Sequence, residues 1–80
     1  MTEIENRVAR CFSRVFPALS EDEIRGASTA SLAVWDSLAH IRLLSSVSEE
    51  FQLDLDMEDF EELVSYPLIV GYAEKKSAAA

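Results

Sequence analysis

Eighty residues, 49% of them apolar and 28% charged, fit one folded domain with a single modest core. That size leaves no room for a catalytic cleft between domains. A net charge of −8 argues against nucleic acid and anionic membranes, which want basic surfaces, and favours basic protein partners.

The opening Met1-Thr2-Glu3-Ile4-Glu5 lacks the basic and apolar regions of a signal peptide, and no apolar run approaches membrane-spanning length, so a cytoplasmic protein without membrane insertion is expected. Thr2 and Glu5 read as a capping box. Ile4, Val8, Cys11, Phe12 and Val15 then recur at helical spacing, with Arg7, Arg10 and Arg14 on another face. Pro17 ends this first helix near Phe16. Cys11, the only cysteine, excludes an internal disulfide and a cysteine-rich zinc site, and its position predicts a buried, inert thiol.

Residues 17–36 form a long connection, with a second capping signature at Ser20-Glu21-Asp22-Glu23 that starts a short turn of helix. Leu32, Val34 and Trp35 are expected to pin its end to the core, Trp35 as a plug. Asp36 is a good N-cap. Leu38, Ile41, Leu44, Val47 and Phe51 follow at spacings of three and four, with Leu43 widening the stripe, and predict a helix over 37–51. Leu53-Asp54-Leu55-Asp56 alternates like a strand but has no partner strand, so it reads as an extended connector. Asp56 caps a short helix over 57–64 with Phe60, Leu63 and Val64 inward. Ser65 caps a last helix with Pro67 in its first turn and Leu68, Ile69, Tyr72 and Ala73 toward the core. Residues 1–76 thus make the domain, and 77–80 read as a disordered tail. The fold class is all-α: a four-helix bundle of three longer helices and one short one, with a long first loop.

Several chemistries are rejected. Asp54-x-Asp56-x-Glu58 starts like a calcium loop, but Asp59 stands where the turn needs glycine and Ser65 where a bidentate glutamate is needed. With Gly26 and Gly71 the only glycines, there is no glycine-rich phosphate loop, and no metal-ligand spacing occurs. His40 lies one turn beyond Ser37, but a Ser–His nucleophile pair lacks an orienting residue, an oxyanion hole and a pocket. A surface histidine near Ser37 is expected instead, and the chain is read as a non-enzyme.

What remains is Trp35-Asp36-Ser37-Leu38. A serine at a helix start sits where unpaired N–H groups gather, which favours a phosphate. Ten acids against the single base Arg42 fall within residues 36–74, after a nearly neutral first half. The triplet Asp36-Ser37-Leu38, the helix order with its long first loop, and the stretch from Ser48 through Leu63 with Pro67-Leu68-Ile69 resemble the acyl carrier protein family over about residues 3–76. The resemblance implies that Ser37 accepts 4′-phosphopantetheine from coenzyme A through a phosphopantetheinyl transferase, and that acyl groups ride on the arm as thioesters between acyl-activating and acyl-transferring enzymes. It implies partner contacts at Asp36, Leu38, Ile41 and Arg42 beside the serine and at Glu58 and Asp59 on the short helix, a monomer, and shelter for an acyl chain between the helices over 37–51 and 57–64. Carriers of fatty acid synthesis usually have acids early in the helix after the serine; here Ala39, His40 and Arg42 stand there. That departure points to a specialised lipid or secondary-metabolite pathway. Two alternatives stay open: an aminoacyl or peptidyl carrier, and an acidic helical adaptor that is never modified.

Overall fold

The computed structural model describes residues 3–78. Its helices are α1 (Glu3–Val15), α2 (Glu21–Arg25), α3 (Ser37–Phe51), α4 (Met57–Glu62) and α5 (Tyr66–Ala78), and no strand occurs among the described residues. The all-α expectation holds. Thr2 lies outside the described residues, as do residues 79 and 80, while α5 continues through Ser77 and Ala78, beyond the expected end of the domain.

Local chemistry accounts for most helix boundaries. Ser20 Oγ accepts from the Glu23 amide at 3.2 Å while the Glu23 carboxylate accepts from the Ser20 amide at 2.9 Å, so the expected capping box starts α2. Asp36 caps α3 through the Ala39 amide at 2.9 Å. Asp56 and Asp59 form a reciprocal box at the start of α4. That helix stops at Glu62, earlier than expected, because Leu63 leaves helical geometry at ψ 67°. Ser65 Oγ accepts from the Leu68 amide at 3.3 Å and caps α5.

The core centres on Phe12. Trp35 and Tyr66 meet its ring edge-on at centroid distances of 5.3 and 5.6 Å, and Phe16 lies tilted beside it at 6.3 Å. Cys11, Leu43, Leu44, Val47 and Ile69 fill the space between α1, α3 and α5. Burial pushes the Cys11 thiol pKa up, as expected of an inert core cysteine.

Two residues expected to face the core, Val34 and Leu68, lie outside, and Leu38 and Ile41 are likewise half exposed or more. In α5 the buried stripe runs Tyr66, Ile69, Val70, Ala73. This i, i+3, i+4, i+7 series starts at the aromatic, and Leu68 falls off it at about 100° per residue.

The long connection is spliced into the body. Thr29 N–H donates to the Val64 carbonyl at 2.9 Å and Tyr66 N–H to the Ala27 carbonyl at 3.0 Å, around an isolated antiparallel bridge between Ser28 and Ser65.

Glu50 joins α3 to α1. Arg7 donates to its carboxylate through Nε at 2.8 Å and to its backbone carbonyl at 2.6 Å, and Arg14 approaches from about two turns further along α1 at 3.5 Å. The Arg7 guanidinium also lies over the Phe51 ring at 4.4 Å. The hydrogen bond from Arg7 holds the Glu50 carboxyl below its ordinary pKa. A depressed folded-state pKa contributes stability that is full above the unfolded-state value and is lost as pH falls through the folded one. Glu50→Gln is therefore expected to cost about 1–2 kcal/mol in urea unfolding at neutral pH, the gap from the parent protein closing in acid.

Candidate functional site

Ser37 is the first residue of α3 and is exposed. The first turn of a helix leaves its leading amides without helical acceptors. Asp36 takes that of Ala39, and the His40 amide reaches the Asp36 carbonyl at 2.8 Å. The amides of Ser37 and Leu38 therefore stand at the open, positive end of the helix, beside the hydroxyl. An anion on Ser37 Oγ would meet these N–H groups without burial, so the residues present fit a phosphodiester.

Around the hydroxyl the surface is apolar. Leu38 is 58% and Ile41 53% exposed, and Val34 projects from the loop just before. Beside Ser37 opens a groove of about 480 Å³ between α3 and α4, lined by Ser37, His40, Ile41, Leu55, Asp56, Met57 and Phe60. The space expected between these helices is present.

His40 differs from its expected role. It is half-buried and bonded at both ring nitrogens. The Trp35 indole can only donate, and it reaches His40 Nδ1 at 3.0 Å. The imidazole proton therefore sits on Nε2, which donates to the Phe60 carbonyl at 2.6 Å. That carbonyl belongs to the last turn of α4, where helix geometry supplies no partner. His40 thus links the core plug Trp35 to α4. Sequence spacing placed it near Ser37, but no pattern signalled bonds to a loop residue behind it and a helix in front.

The expected partner residues divide. Arg42 is exposed on α3 and takes part in none of the ion pairs of the described residues. Glu58 is exposed on α4. Asp59 is only half-exposed, and its Oδ2 accepts from both the Asp56 amide at 3.1 Å and the Tyr72 hydroxyl at 3.0 Å. Burial, then the hydrogen bond to Asp59, pushes the Tyr72 pKa up to about 12. Asp59 holds α4 to α5, and Asp36 is committed to capping. Among the described residues no group of three or more His, Cys, Asp or Glu side chains could hold a metal, and no helix is long and apolar enough to cross a membrane.

The chain is 37% identical over 57 residues to a protein named acyl carrier protein from Desulforapulum autotrophicum, covering 71% of this chain and 74% of that relative. The chain belongs to the acyl carrier protein family. No protein-family model and no solved structure matches this family member.

The two acids of α4 separate by experiment. Asp59→Ala is expected to lower stability by about 1–2 kcal/mol, losing a cap and the Tyr72 bond, whereas Glu58→Ala stays within about 0.5 kcal/mol of the parent in urea unfolding.

Proposed function

We propose that Ser37 carries 4′-phosphopantetheine and that the chain shuttles acyl groups between enzymes of a specialised lipid or secondary-metabolite pathway. The observation that carries this reading is an exposed serine hydroxyl at the capped, open end of α3, beside an apolar groove, in a member of the acyl carrier protein family.

Loading forms a bond from Ser37 Oγ to the pantetheine-bearing phosphorus of coenzyme A. The phosphoanhydride bond breaks, adenosine 3′,5′-bisphosphate leaves with the electron pair, and the hydroxyl proton passes to a base of the transferase. When bound, the arm supplies a thiol on which acyl groups travel as thioesters. The chain's own contribution is presentation. Asp36 fixes the first turn of α3, so the serine leaves a fixed stretch of backbone, and the free amides of Ser37 and Leu38 favour the added negative charge. Tethering raises the effective concentration of cargo at whichever enzyme is docked.

Docking draws on the ring around Ser37. Leu38 and Ile41 supply apolar contact, Glu58 and the neighbouring exposed acids Asp54, Glu61 and Glu62 supply negative charge, and Arg42 interrupts it. Such contacts give fast, weak encounters, which suits a carrier that must leave each enzyme.

Incubation with coenzyme A and a broad-specificity phosphopantetheinyl transferase is expected to add the mass of one phosphopantetheine unit to the parent protein and none to Ser37→Ala. No gain in the unmodified, folded parent would leave an unmodified acidic adaptor as the better account. Arg42→Glu replaces the exposed base early in α3 with an acid and is expected to raise kcat/KM with fatty-acid-type partner enzymes by about 3–10-fold. Unchanged turnover would remove Arg42 from partner choice.

A further inference from the structure

The groove between α3 and α4 is divided. Beyond the hollow beside Ser37 lies a second of about 290 Å³, lined by Leu44, Ser45, Ser48, Glu49, Leu55 and Phe60. Its α3 residues sit about 10–18 Å further along the helix axis than Ser37. Leu55 and Phe60 line both hollows and so stand between them. The near hollow offers Ile41, Leu55, Met57 and Phe60 to a hydrocarbon; the far one offers Ser45, Ser48 and Glu49.

The wall is tethered to the core. None of the residues of α4 is itself buried, so packing alone holds this helix weakly. Its first turn is tied to α5 by the Asp59–Tyr72 bond, and its last turn to α3 by the bond from His40 to the Phe60 carbonyl. The Phe60 ring meets the imidazole edge-on at 6.1 Å. Behind His40, Trp35 is 3% exposed and wedged against Phe12 and Phe16. The imidazole therefore braces the Phe60 ring directly, and displacing the Phe60 backbone toward α5 or solvent breaks a hydrogen-bonded chain that ends in the aromatic core.

We propose that His40 is a positioning residue for cargo length: by fixing Phe60 as a wall across the groove, it restricts sheltered cargo to short acyl groups. This rests on the carrier reading of Ser37. A short chain fills the near hollow. A longer one either breaks the Trp35–His40–Phe60 chain or leaves its end in water.

The test loads Ser37 from acetyl-, butyryl- and octanoyl-coenzyme A with the broad-specificity phosphopantetheinyl transferase, loading being followed by intact mass. Hydroxylamine cleavage of each thioester is then timed against the matching coenzyme A thioester, and the amide shifts of Ser45 and Ser48 are recorded. In the parent protein butyryl is expected to be the best protected, with octanoyl no better than acetyl and Ser45 and Ser48 unmoved. His40→Ala frees the last turn of α4 and is expected to slow octanoyl cleavage at least about threefold and move both amides. Phe60→Ala opens the wall while keeping the carbonyl that His40 grips, and is expected to do the same. His40→Gln, which can donate to Phe60 and accept from Trp35, is expected to behave as the parent. Octanoyl protected equally in the parent and both opened variants would overturn the assignment of His40. So would Ser45 and Ser48 shifts in the octanoyl-loaded parent. Failure of every coenzyme A thioester to load would instead overturn the carrier reading, and this inference with it.

Discussion

The seating of Trp35 on Phe12 is the contact from which the region around Ser37 hangs. It ends the long loop, buries the indole against the Phe12 and Phe16 rings, and turns Nε1 toward His40. Asp36 follows immediately, so the cap that aims Ser37 starts from a fixed point. Truncating such a buried aromatic typically costs about 3–5 kcal/mol, a large share of what a domain this small can have. The loop is long, yet the residue that matters most for presentation is among the least mobile by packing.

The acidic second half of the chain is less uniformly free than its composition implies. Glu50 is turned inward to Arg7 and Arg14, and Asp36, Asp56 and Asp59 are spent on helix starts. The exposed acids that take no part in those contacts are Glu49, Asp54, Glu58, Glu61, Glu62 and Glu74, and Arg42 is an exposed base on α3.

Much of this was legible in the sequence because it is local. The span of α3, the Ser20 capping box and the Asp56 and Ser65 caps follow from one residue's hydrogen-bonding capacity a few positions from its partner, whereas the return bond from Asp59 is seen only in the structure. Cys11 and Leu43 fall in the core by helical period, and Trp35 by its size at the end of a loop. Failures came where the answer depends on what stands opposite. Leu68 belongs to a stripe whose true phase is set by Tyr66. His40, Glu50 and the Ser28–Ser65 bridge are invisible to periodicity, because their partners lie on other elements. The site shows the same division: Ser37 and its cap were readable, whereas the walls of the adjoining groove required α4 to be in place.

The bridge that splices the long loop onto the α4–α5 junction has a consequence for how the protein is made. Ala27 and Thr29 find their partners only at Val64 and Tyr66, and Tyr66 completes the aromatic cluster that seats Trp35. During synthesis the chain emerges from its N-terminus, so these distant pairings close last. Until α5 has been made, the loop backbone at Ala27 and Thr29 lacks its hydrogen-bond partners and the Phe12 ring lacks Tyr66, so Trp35 rests on α1 alone. A protein that reads the start of α3 would then meet it fully braced only after α5 has emerged, and topology would set the order of folding and recognition.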